Sequence, residues 1–279
     1  MKEARASPRR DRADGALTRW ERWAGHCGYV AEGVLYLPVG FFALLAAFRH
    51  AQPSGSRGAL AKLGETLVGD ALLALLALGL AAFVVWQLVV AIADPEHRAE
   101  RRSRRRRMAR LEHLASGVFH CVFVGEVVSS FLGLARAHDE RQSQVQWTAR
   151  AFSIPLGRYL VGLVGAGIIL FGLWQFYRAV TRDKNRRVDL SRTRFRPAIN
   201  ALGVYGLLAR GTLFGLVGAY LVNAAWRRDP RYSGGIAGAL GGLRQQPYGE
   251  ALLAVMAIGL LCYGLYQILK EPYRSLRRS

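Results

Sequence analysis

Four ionisable side chains stand inside apolar stretches of this sequence: Glu32, His120, Glu126 and Arg210. Such residues are costly in a hydrocarbon-like setting, so each is a candidate for function. A carboxylate there can bind a cation, carry a proton or pair with a base. Glu126, near the middle of its stretch, either does one of the first two or rests as a neutral acid bonded to Ser129 or a backbone carbonyl. Glu32 and Arg210 each precede a glycine and suit an opposite-charge pair, or each snorkels to a nearby interface. His26-Cys27 and His120-Cys121 resemble a repeated metal pair, but no further ligand stands at usable spacing, so no metal or cofactor is expected. No Ser-His-Asp order with local context, GxSxG, Walker loop or HExxH occurs, and an enzyme is not expected.

The elements that must position these residues follow from composition. The 279 residues are 52% hydrophobic and carry a formal net charge of +20. A soluble protein that basic seldom holds so much apolar residue. The conflict resolves because long apolar blocks alternate with basic connectors. A spanning helix needs about 20 apolar residues. Six blocks have roughly that length: Gly28 to Phe48, Ala71 to Ala93, Leu114 to Ala135, Tyr159 to Val180, Gly203 to Ala225 and Ala251 to Leu269. Cys27, Cys121 and Cys262 all lie near or within them, which argues against a secreted disulfide framework. The basic N-terminus imitates a signal peptide, but the first block is long enough to span and is read as retained.

The even-numbered blocks repeat one pattern, G-[DRE]-x8-G-x3-[FY]-x2-[WY]-Q. It runs from Gly69-Asp70 to Trp86-Gln87, from Gly157-Arg158 to Trp174-Gln175, and from Gly249-Glu250 to Tyr266-Gln267. The odd blocks match more loosely. Glu32-Gly33 with Tyr36 and Gly40 corresponds to Arg210-Gly211 with Phe214 and Gly218, and to Ser116-Gly117 with His120. Gly79 with Phe83, and its two copies, suggests close helix contact with an aromatic filling the next turn. Each aromatic-Gln pair falls near the cytoplasmic end of an even helix, where an interfacial anchor with an inter-helix hydrogen bond is expected. A ring of three glutamines at a cytoplasmic mouth is the sharper alternative.

A unit of two spans returns to its starting side, so the three copies are parallel repeats. The expected fold is an all-α integral membrane protein of six transmembrane helices with approximate threefold symmetry; a linear row of three hairpins is the alternative. The expected organisation is a basic tail over 1–22, repeats over 23–97, 111–183 and 197–274, basic linkers over 98–110 and 184–196, and a short basic tail over 275–279. On the side of the termini the connectors and tails hold 27 Lys and Arg against 11 on the other side, which places both termini in the cytoplasm. The run RAERRSRRRRMAR, Arg98 to Arg110, is read as a topology signal that also touches anionic lipid headgroups at the cytoplasmic face. No zinc finger or RNA-binding motif accompanies it, and no nucleic-acid partner is expected.

The segment ARGTLFGLVGAY at Ala209 to Tyr220, with PYGEALLAVMAIGLLCYGLYQ at Pro247 to Gln267, resembles the bacterial membrane family catalogued as domain of unknown function 1206. The resemblance covers nearly the whole chain after the basic tail and is strongest in the third copy. That pattern favours Arg before the first-helix glycine; Arg210 keeps it, whereas Glu32 and Ser116 depart. The resemblance implies a bacterial inner-membrane protein and no particular activity. Two functions follow as expectations: a non-enzymatic structural, interaction or lipid-binding membrane module, or a channel or carrier along the pseudo-threefold axis.

Overall fold

The computed structural model describes residues 19–48, 59, 67–93, 114, 117, 120–121, 124–125, 128, 132, 140–181, 193–270 and 273. Among the described residues there are helices and turns and no strand. The helices are α1 (Arg19–Phe48), α2 (Leu67–Ala93), α3 (Glu140–Phe152), α4 (Gly157–Val180), α5 (Arg196–Arg227), α6 (Gly235–Arg244) and α7 (Gly249–Lys270). Residues 114, 117, 120, 121, 124, 125 and 128 are also helical and mark part of the third apolar block.

Three helices among these are long and apolar enough to cross a membrane: α4, α5 and α7. Shorter apolar stretches occupy Glu32–Phe48 and Leu73–Val85. The side-chain distribution agrees with lipid as the solvent. The buried face of α4 is made of Gly157, Gly165, Gly172, Gln175 and Ala179. Its exposed face carries Leu160, Leu163, Val164, Leu170, Leu173 and Val180. A water-soluble helix buries its large apolar residues. A helix that faces hydrocarbon gains little from doing so and packs through small residues instead.

Two even helices begin with the same turn, which the sequence pattern already contains. Pro155-Leu156-Gly157 and Pro247-Tyr248-Gly249 each put the middle residue at positive φ, 63° and 59°. The glycine is required by space: a Cβ at Gly157 would overlap the Ala151 carbonyl, and one at Gly249 the Arg244 carbonyl. The turns join the connector helices α3 and α6 to α4 and α7. Before α6, Asp229 caps the short 3-10 turn Pro230–Tyr232 and accepts from the Arg231 backbone N–H. Hydrogen bonds from Arg231 hold its carboxyl below the usual range.

Packing follows an order different from the chain order. The closest helix neighbours are α4 with α5, α1 with α7, α5 with α7, and α1 with α2. Thus α1, from the first repeat, lies along α7 of the third, and α5, from the third, lies along α4 of the second. Both contacts are backbone-close. A Cβ at Gly33 would come within 2.7 Å of the Gly264 carbonyl oxygen, and one at Gly211 within 2.9 Å of the Gly172 oxygen. The third pair of this kind joins the middle block to α2, where a Cβ at Gly117 would sit 3.3 Å from the Gln87 Cβ. The glycines singled out by the repeat pattern behave unequally: Gly259 is pressed on Ala209, while no described residue lies within 4 Å of a Cβ at Gly167. In α4 the close approach is instead made by Gly165 and Gly172, one helix face away.

Candidate functional site

Glu32 and Tyr36 stand one turn apart on one face of α1, and Tyr263 and Gln267 one turn apart on one face of α7. The glycine contact between these helices brings the two faces together. Arg210 reaches the same place from α5, and His120 from the middle block.

The Glu32 carboxylate lies 3.0 Å from an Arg210 guanidinium nitrogen. Tyr263 donates its hydroxyl to Glu32 Oε1 at 2.8 Å, and Gln267 Nε2 donates to Oε2. The Tyr263 oxygen also accepts from Arg210 at 2.6 Å and from Gln267 Nε2 at 2.8 Å. One donor and two acceptor positions exhaust what a tyrosine hydroxyl offers. Arg210 Nε donates to Tyr36 Oη at 3.0 Å. His120 Nε2 lies 3.9 Å from Glu32 Oε1. Every one of these groups is buried, with Glu32 and Arg210 each 4% exposed.

The guanidinium is also surrounded by rings. Its central carbon lies 4.6 Å from the Tyr263 centroid, 5.2 Å from Tyr36, 5.3 Å from Phe214 and 5.5 Å from Phe171. A desolvated cation gains about 2 kcal/mol from such a ring. Two opposite charges, aromatic faces and the saturated Tyr263 hydroxyl therefore offset a desolvation cost of several kcal/mol per ion.

The same ring contact recurs at each helix pair of this kind. Tyr36 meets Tyr263 at 4.9 Å and 77°, His120 meets Phe83 at 4.7 Å and 71°, and Phe214 meets Phe171 at 5.2 Å and 77°. These residues occupy matched repeat positions. Hydroxyls replace hydrogen only in the pair that also holds the charges. That coincidence is the signal the sequence reading missed: Tyr36 and Tyr263 differ from their repeat counterparts by the very atoms that bond Arg210 and Glu32. Lys270 was missed as well; it is buried, with its ammonium 4.6 Å from the Tyr266 ring centre.

Of the candidate residues, Glu32, Arg210, His120 and Gln267 are brought together. Glu126 and the Trp86 side chain lie outside the described residues. Gln87, Gln175 and Gln267 are all buried against neighbouring helices. The physical reason is angular: neighbours on a helix point about 100° apart, so Trp174 is outward and 38% exposed while Gln175 turns inward. Tyr266, the third aromatic of the pattern, is buried at 1% because Gly203 leaves room for its ring.

The arrangement can hold a charge pair and fix helix register. A reacting group would need a free face, and the described partners occupy those of Glu32 and the Tyr263 hydroxyl. Two open pockets among the described residues lie elsewhere, one lined by Asn223, Trp226, Arg227, Asp229 and Tyr232, another by Arg158 and Arg228 with apolar neighbours.

Comparison with known proteins adds three findings. The family model described as Domain of Unknown Function (DUF1206) matches residues 27–94, 111–182 and 205–270, three times along the chain. An uncharacterized protein of Bacillus subtilis (strain 168) is 30% identical over 259 residues, covering 92% of each chain. No solved structure matches.

Proposed function

The chain belongs to the DUF1206 family, and from that premise we propose a six-span protein of the bacterial cytoplasmic membrane with a non-enzymatic structural, interaction or lipid-binding role. Three parallel two-helix repeats surround a pseudo-threefold axis in this proposal, with both termini in the cytoplasm. The three matched ring contacts support the cyclic arrangement, since each joins an odd helix to the even helix of the preceding copy. The basic residues on the side of the termini support the orientation, and they supply the contact with anionic lipid at that face.

One observation carries the choice of role. Glu32, Arg210 and His120 face one another within a filled aromatic core, and their partners are other side chains of the same protein. A transport site needs ligand-accessible polar groups; Glu32 and Arg210 are buried and bonded to side chains of the same chain. The test is solute and ion flux in proteoliposomes made with the purified protein and its Glu126→Gln variant. We expect both to match empty liposomes. Uptake by the parent chain that the variant loses would overturn the proposed role.

A channel or carrier is the second reading, and one observation favours it. Gln175 Nε2 and Gln267 Oε1 are buried polar atoms with no hydrogen-bond partner among the described residues. Water in a narrow axial passage would satisfy both. The same flux measurement separates the two readings.

A further inference from the structure

The loop that leads into α4 and the end of α5 line an open pocket of about 390 Å³. Arg158 and Arg228 line it together with Phe152, Ile154, Leu156 and Tyr159. Among the described residues no carboxylate pairs with either arginine. Nearby Arg231 shows the contrast, because Asp229 neutralises it with two hydrogen-bonded oxygens. Two guanidiniums that share a concavity repel each other and attract a doubly accepting anion such as a phosphodiester. The Arg158 guanidinium is held over the Tyr159 ring at 4.4 Å, which restricts its direction.

The walls point to the rest of the ligand. Ile154 is 59% exposed, Leu156 72% and Tyr159 59%. Below them the exposed Leu160, Leu163 and Val164 continue the apolar surface along α4. A free anion gains nothing from such walls, whereas an acyl chain does. The repeat provides an internal comparison. At the position of Arg158, α2 has Asp70 and α7 has Glu250, which would repel a phosphate.

We propose that this pocket binds one phospholipid with an anionic headgroup, its phosphate between Arg158 and Arg228 and its acyl chains along the outer face of α4. The site lies at the end of α4 away from Gln175, opposite the polybasic linkers. It rests on the spanning arrangement proposed above and joins Arg158 of the second repeat to Arg228 of the third.

Native mass spectrometry of the detergent-solubilised full chain tests it, by titration with phosphatidylglycerol or with phosphatidylcholine of the same acyl chains. The Arg158→Gln/Arg228→Gln variant should bind its tightest phosphatidylglycerol about tenfold more weakly than the parent. Phosphatidylcholine shares the phosphate but its choline cation opposes the arginines, so its binding should fall less than that of phosphatidylglycerol; an unchanged thermal-unfolding curve reports that the variant is folded. An Arg158→Glu variant should lose the tight lipid, and Arg231→Gln should keep it. Equal phosphatidylglycerol affinity in parent and double variant overturns the site. Displacement of the lipid by excess inorganic phosphate overturns the lipid assignment and leaves a simple anion site. Alkaline carbonate extraction of membranes distinguishes the premise: release of the chain would sink the spanning arrangement itself, whereas a retained chain with equal affinities sinks only this site.

Discussion

Glu32 and Arg210 are worth little as separate residues and much as a pair. Removing one partner leaves the other as an uncompensated buried charge, which typically costs about 3–5 kcal/mol. Glu32→Gln or Arg210→Gln should therefore lower the unfolding midpoint in detergent sharply. The Glu32→Leu/Arg210→Leu double variant should lose less than the sum of the single changes, because neither charge is left alone. Equal additivity would mean that the two do not interact. Tyr263→Phe should cost about 1–3 kcal/mol, since it removes one donor and strands Arg210 and Gln267 hydrogens that now point at the hydroxyl. In the sequence the two charges were legible as unusual, and matched repeat positions suggested that they meet. The hydroxyls were not singled out, because tyrosine in an apolar block reads as another aromatic.

At the scale of the helix, the informative residues are the smallest. Gly172 and Gly211 allow α4 and α5 to touch through their backbones. Gly172→Ala should destabilise the bundle by about 1–3 kcal/mol through overpacking against the Gly211 carbonyl. Gly167→Ala, five residues earlier on the same helix, meets no described residue within 4 Å. It should be neutral or raise stability by up to about 1 kcal/mol, the ordinary helix preference of alanine. Paired thermal-unfolding curves check both; a destabilised Gly167→Ala would contradict the open face described for α4. Gly167 was picked out by its repeat position, which marks a tight contact at Gly259 in the third copy but none among the described residues at Gly167. Periodicity says which residues share a face, but which face meets a neighbour depends on where the neighbour is. The Pro-x-Gly entry to α4 and α7 is a local feature and was fully present in the sequence, since its geometry depends only on adjacent residues.

For the whole molecule, the helix pairing has a consequence for assembly. The first and third repeats touch along α1 and α7 although the second repeat lies between them in the chain. Coexpressed fragments divided within the 184–196 linker should therefore copurify, held by α1 against α7 and α4 against α5. Arg210→Gln should weaken that association, and pull-down from mixed membranes measures it. Fragments that never associate would argue against the cyclic closure proposed here. Reporter fusions at either terminus should be active only with cytoplasm-dependent reporters.

Local chemistry and one-dimensional pattern were enough for the helices, the threefold repetition, the family and the membrane character. Each depends on composition, spacing or a short turn, which the chain carries without reference to its fold. The site needed tertiary structure. Three similar two-helix units can be packed in several orders with nearly the same apolar burial, so hydropathy is silent on which copy neighbours which. Specific side chains break that degeneracy. Glu32 and Tyr263, 231 residues apart, meet only when the first repeat closes on the third. There the carboxylate, the guanidinium and two tyrosine hydroxyls satisfy one another away from solvent, an arrangement that no single helix displays.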